Sequence, residues 1–309
     1  MSHYPQHLPL LSDDLKEKCF TKAFQNNNST VVAKIVNRNK DQNQGGNLDI
    51  VQDVLKKGAD INATRGQYGT ALQAAACWGR LETVKFLVEK GADVNAQGGK
   101  YSNALQAAAY RRELEIAKFL VEKDADVNAQ GGFYGNALQA AAFGEELEMV
   151  KFLVEKGANV NAQCGKYGNA LIAAAYWGRL EIMKFLVEKG ADINAQGGEF
   201  GNVLQAAAQW GNLEIAEFLV EKGADVNAQG GHYGTAIQAA ASGGELEIVK
   251  YLVEKGADVN AQGGLYGNAL QAAAYSKELE IVKYLVEKGA DINAQGAILT
   301  RVYTGVRVR

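Results

Sequence analysis

The stretch Leu81-Glu82-Thr83-Val84-Lys85-Phe86-Leu87-Val88-Glu89-Lys90-Gly91-Ala92-Asp93-Val94-Asn95-Ala96 returns every 33 residues, beginning again at Leu114, Leu147, Leu180, Leu213, Leu246 and Leu279. The register never slips: Ala71, Ala104, Ala137, Ala170, Val203, Ala236 and Ala269 fall in one column. A fixed period of this length predicts a solenoid, in which no unit buries its apolar face alone and each neighbour completes the core of the next. Within the quoted stretch Leu81, Val84, Leu87 and Val88 recur at helical spacing and Phe86 widens the apolar face, while Glu82, Lys85 and Glu89 fall on the wet side. Leu81 to Lys90 is therefore predicted as a helix, with Gly91 ending it. Ala92 to Gly99, rich in Asn, Asp and Gly, suits a turn or hairpin.

Upstream of that helix, Thr70 is suited to an N-cap and is replaced by Asn in five of the other six copies. Ala71 to Ala76 follows as a short helix of small side chains, stopped at Gly79 and marginal unless stacked on its copies. Each unit thus reads helix, turn, helix, finger. Seven such units occupy 67–96, 100–129, 133–162, 166–195, 199–228, 232–261 and 265–294.

The flanks are less regular. Residues 1–36 are expected to form a helical capping segment, with Ser12 capping a helix over Asp13 to Phe24 and Ser29 preceding another over Thr30 to Val36. Residues 37–66 align as a degenerate first unit. In it Leu48, Val51, Val54 and Leu55 take the apolar columns behind a polar insertion at Asn37 to Gly46. Residues 295–309 read as an irregular tail without a polar-faced closing helix, so the last unit is expected to be partly bare and prone to self-association, or else to belong to a longer array.

The quoted stretch resembles the second half of the ankyrin repeat unit, and the resemblance covers about three quarters of the chain. It implies an all-α fold: an ankyrin-type α-solenoid of stacked helix-turn-helix units with β-hairpin-like fingers. The first half departs from the family, which commonly has Thr-Pro-Leu-His where this chain has Thr70-Ala71-Leu72-Gln73; the two prolines are Pro5 and Pro9. Gln in place of His is expected to keep the hydrogen-bond link between units through an amide. The Gly-Gly-x-Tyr-Gly finger is similar to a variant common in fungal arrays, some of which carry an NTPase ahead of the repeats.

Charge and composition exclude several roles. Charged residues make up 22% and the formal net charge is -3, so there is no global basic field for nucleic acid. The sequence has neither a secretory leader pattern nor an apolar run of membrane-spanning length, so a cytoplasmic protein without membrane insertion is expected. Cys19, Cys77 and Cys164 are far apart and lack metal-ligand spacing. His3, His7 and His232 form no cluster, and Gly99-Lys100 and Gly165-Lys166 run into Tyr101 and Tyr167, where a phosphate-binding loop needs Ser or Thr. The repeated glycines serve the turn that every unit needs. No catalytic constellation, cofactor site or metal site is expected, and the protein is read as a non-enzyme.

Positions that drift between copies mark the outer surface, because a residue packed against its own copies is held to one solution. One drifting column precedes the finger tyrosine and is expected at the finger tip: Gln67, Lys100, Phe133, Lys166, Glu199, His232 and Leu265. Two more close the first helix, one holding Tyr110, Phe143, Tyr176 and Tyr275, the other Arg111, Trp177 and Trp210. In ankyrin relatives the matching positions line the concave groove, and Trp, Tyr and Arg are the side chains most enriched at binding hot spots. The alternative for these aromatics is that they fill gaps over the Ala-rich first helices. Arg112 and Glu145 are read as a lateral ion pair, and the near-constant tyrosine column beginning at Tyr68 as finger packing. The reading is a scaffold or adaptor that binds a protein or peptide along this groove. The alternative is a regulatory or sensing arm beside an NTPase switch or pathway enzyme encoded elsewhere.

Overall fold

The computed structural model describes residues 44–64 and 68–294, and within them the chain is a single file of helices. A helix α1, Gln44–Lys56, leads in. Seven helix pairs follow: α2 Ala71–Cys77 with α3 Leu81–Glu89, α4 Ala104–Arg111 with α5 Leu114–Glu122, α6 Ala137–Gly144 with α7 Leu147–Glu155, and α8 Ala170–Tyr176 with α9 Leu180–Glu188. The last three pairs are α10 Val203–Gln209 with α11 Leu213–Glu221, α12 Ala236–Gly243 with α13 Leu246–Glu254, and α14 Ala269–Ser276 with α15 Leu279–Glu287. The expected helices over Asp13 to Phe24 and Thr30 to Val36, the first part of the 37–46 insertion and the 295–309 tail lie outside the described residues. Helix α1 begins at Gln44, inside the stretch read as insertion, and packs on α3 as the second helix of a unit would.

The first helix of each unit forms for the reasons its sequence gives. The side chain of Thr70, Asn103, Asn136, Asn169, Asn202, Thr235 or Asn268 accepts the N–H of the third helical residue. Where the cap is Thr70 or Thr235, Gln73 or Gln238 also reaches back to the cap N–H and completes a capping box. The three central alanines are fully buried in every unit but the last, where Ala274 is exposed. Consecutive first helices pack on one another far more closely than second helices do, which side chains this small permit. The second helices bury one stripe, such as Val84 and Leu87 in α3, and turn ion pairs such as Lys85 Nζ to Glu82 Oε1 at 2.8 Å toward water. Each exposed pair contributes only about 0.3 kcal/mol.

Two ladders of side-chain amides tie the units together. Gln73 Nε2 donates to the carbonyls of Ala96 and Ser102 in the following finger, at 2.7 and 2.9 Å, so the expected amide link in place of imidazole is present. Equivalent bonds come from Gln106, Gln139, Gln205, Gln238 and Gln271. Ile172, fully buried, breaks this ladder in the fourth unit. The second ladder uses the loop asparagine. Asn95 Nδ2 donates to Asp124 O at 2.9 Å, and Asn95 Oδ1 accepts the N–H of Asp126 at 2.8 Å. Asn62, Asn128, Asn161, Asn194, Asn227 and Asn260 repeat both bonds onto the next unit.

The fingers are hairpin-like but short. Each is closed by one isolated antiparallel bridge, Gly98 to Ser102 in the first and Gly131 to Gly135 in the next, with no extended strand among the described residues. The reason is the glycine at the end of the loop. At Gly168, with φ +85°, an added Cβ would lie 2.5 Å from the carbonyl carbon of Gly197 in the next finger, so the fingers stack backbone to backbone.

Candidate functional site

The two drifting surfaces run side by side along one edge of the array. At the finger tips the backbone does not drift at all. The N–H of Lys166 donates to Phe133 O at 3.2 Å, Glu199 to Lys166 O at 3.3 Å, His232 to Glu199 O at 3.0 Å and Leu265 to His232 O at 2.9 Å. This cross-unit ladder holds loop length constant while leaving the side chains free to differ. Phe133, Glu199, His232 and Leu265 are exposed; Lys166 is half-buried and lies 5.6 Å over the Phe133 ring, with an ion pair to Glu199 at 3.5 Å. Lys100 lies 5.7 Å from the centre of the Tyr101 ring.

Behind the tips, the finger tyrosines and the helix-one ends build one aromatic row. Tyr101 and Tyr134 are nearly parallel, with centroids 6.2 Å apart, and Tyr110 from the end of α4 sits against both at 5.3 and 4.7 Å. Phe143 continues the row from Tyr134, and Tyr176 bridges Tyr167 and Phe200. Tyr110, Phe143 and Tyr176 are thus half-buried, sharing the gap-filling role with the finger rings. Trp177 packs edge-on against Phe143 at 4.6 Å yet is 39% exposed, and Trp210 packs on Tyr176 at 5.0 Å yet is 53% exposed. Beyond Trp210 the row stops at Gln209, Ser242 and Gly243. Tyr275 stands apart with Tyr266 as its ring neighbour, at 5.2 Å.

Electrostatics sharpens the part over units one to four. Arg112 and Glu145 form the expected lateral pair at 3.6 Å, and Arg179, which lies in none of the three columns singled out above, closes on the same carboxylate at 2.6 Å. Arg111 donates from Nε to Cys77 O at 3.0 Å and its guanidinium lies 5.0 Å over the Trp78 ring. An open pocket of about 440 Å³ between these groups is lined by Trp78, Tyr110, Arg111, Arg112, Phe143, Trp177 and Arg179, with Glu113 at its wall. Burial pushes the Glu113 carboxyl above its usual range, against the pull of Arg111. Burial likewise raises Cys77 and Tyr101, which lie next to one another beneath the row. At the far end Glu245 is raised by burial and by the like charge of Glu278.

The structure therefore brings Tyr110, Arg111, Phe143 and Trp177 to one pocket. Tyr176 and Trp210 extend the same row, Lys100, Phe133, Lys166, Glu199, His232 and Leu265 form a parallel line at the tips, and Tyr275 is separate. Arg179 and Glu113 were missed although their column, Arg80, Glu113, Glu146, Arg179, Asn212, Glu245 and Glu278, also drifts, because it lies at the start of helix two and reads as solvated charge. A second pocket of about 530 Å³ lies between α1 and α3, lined by Leu55, Ile61, Phe86, Lys56 and Lys90.

Among the described residues no helix is long and apolar enough to cross a membrane. A comparison with curated proteins returned no match. A protein-family model described as ankyrin repeats in three copies matches residues 23–131, 130–197 and 204–296, which together span most of the chain. Ankyrin repeats mediate protein–protein interaction and are not themselves catalytic modules. Period, helix pairs, amide ladders and family match agree, and the chain belongs to the ankyrin repeat family.

Proposed function

We propose that this protein is a non-enzymatic scaffold or adaptor of the cytoplasm that holds a protein or peptide along the helix-one ends and finger tips. The observation that carries this reading is the exposure of Trp177 and Trp210 on a row whose other rings are packed. Large indoles left 39% and 53% open on an ordered surface are costly to solvate and rewarding to cover. A specific interface needs about 800 Å² from each partner, which several adjacent units together supply. Replacing Trp177 and Trp210 by Ala is expected to weaken capture of the partner from the native cell by tenfold or more, since hot-spot truncations cost roughly 2 kcal/mol. The thermal melt should stay where it was. Undiminished capture by the double variant would place the interface elsewhere.

The last unit supports a second property, self-association. Its stacking face is more open than that of the other units among the described residues: Leu279 and Ile292 are each 69% exposed where their equivalents are half-buried, and Ala274 is exposed where its equivalents are buried.

A further inference from the structure

We propose that the pocket over units one to four receives an acidic side chain of a linear peptide, with an adjacent apolar side chain of that peptide lodged against Trp177 and Phe143. This rests on the partner-binding reading above and names the chemistry of the partner.

Charge is the first argument. The chain as a whole carries -3, yet three guanidiniums, Arg111, Arg112 and Arg179, line this pocket against one lining carboxyl, Glu113. Even with Glu145 counted, cations exceed carboxylates. The helix-one ends of units five to seven reverse this balance. There Trp210 and Tyr275 remain but no arginine stands with them, Gln209, Ser242 and Gly243 fill the other places, and Glu245 and Glu278 outnumber Lys277. An extended partner is therefore oriented, its acidic part over the early units.

Geometry is the second argument. Arg112 from unit two and Arg179 from unit four converge on Glu145, so the chain's own carboxylate already marks a place where guanidiniums of different units meet an acid. Arg111 is held at both its Nε, by Cys77 O, and its face, by Trp78. A guanidinium fixed in this way presents its Nη edge without further loss of rotamer freedom, and that edge matches a carboxylate in two parallel bonds. Among the described residues no carboxylate forms an ion pair with that edge. The exposed part of Trp177, on the wall of the same pocket, supplies the apolar contact. A nucleic acid fits less well, because Glu113 and Glu145 would interrupt any run of phosphates.

The test pans the full chain against a phage-displayed random dodecapeptide library, then measures a fluorescein-labelled copy of the most enriched peptide by anisotropy. Expected are peptides with Asp or Glu close to an aromatic or branched apolar residue, binding that weakens with salt, and losses of about tenfold for Arg111→Gln and for Trp177→Ala with circular dichroism unchanged. Enrichment without acidic bias, or binding lost in Trp177→Ala but indifferent to Arg111→Gln, overturns the acidic partner and leaves the groove standing. Indifference to both substitutions overturns the two readings together. Failure to enrich any sequence, tighter binding of a labelled oligothymidylate, or a dimer that Arg111→Gln dissolves each overturns the proposal.

Discussion

Ser102 occupies a left-handed backbone position, φ +72°, where six of the seven units have glycine. A side chain there costs an L-residue roughly 1 to 2 kcal/mol, and glycine gives back about 0.4 to 1 kcal/mol through the freedom of the unfolded chain. Strain outweighs entropy, so Ser102→Gly is expected to raise stability by about 0.5 to 1 kcal/mol in urea titration. A lower midpoint would mean that the Ser102 hydroxyl bond to Gln97 outweighs the strain. The opposite change at the equivalent Gly168 meets backbone and should be strongly destabilising. Residues that act within one turn, such as the Thr70 cap, the glycine stops and the Glu82 to Lys85 pair, were legible in sequence because their partners are three or four positions away. Asn95 was legible only as a turn former. Its partners Asp124 and Asp126 stand about one full repeat later, and no local rule points across that distance.

At the scale of the element, a seven-residue first helix cannot persist alone, and its stability comes from stacking and from the glutamine tether. Gln238 is the best-bonded of these tethers. It donates to Ala261 O, Gly263 O and Gly267 O, at 3.1, 3.3 and 2.9 Å, and accepts from its own cap residue, the N–H of Thr235 at 2.7 Å. Gln238→Leu keeps the volume but strands these buried groups, and each unsatisfied buried group costs about 1 to 3 kcal/mol. A loss of at least about 2 kcal/mol by urea titration is expected, with local hydrogen exchange fastest in the finger that begins at Ala261. A change below 1 kcal/mol would show that water replaces the tether at little cost. Helix positions and ends agree with the sequence reading to within a residue or so. The fingers are hairpin-like as expected, each closed by a single antiparallel bridge where glycines of adjacent fingers meet.

At the scale of the whole array, the first and last described units differ in how they are covered. At the leading side α1 packs on α3, the second helix of the first unit. At the other, the described residues leave Leu279, Val286 and Ile292 open. Two such faces can meet as like with like, in a two-fold dimer. Sedimentation velocity is expected to show a concentration-dependent dimer that Leu279→Glu with Val286→Glu abolishes, while the Trp177→Ala and Trp210→Ala variant still dimerises. A monomer at every concentration would remove self-association from the protein's properties.

The period, both helices of each unit, their caps and the class of the fold were determined by the sequence itself, because caps, glycine stops and apolar spacing act over a few residues and are written seven times. Which drifting side chains form a site was decided only by tertiary structure. Tyr110, Arg111, Phe143, Trp177 and Arg179 come from units two to four and share a pocket because stacking sets those units side by side, while the reach and direction of each side chain decide whether it faces its neighbour or the solvent.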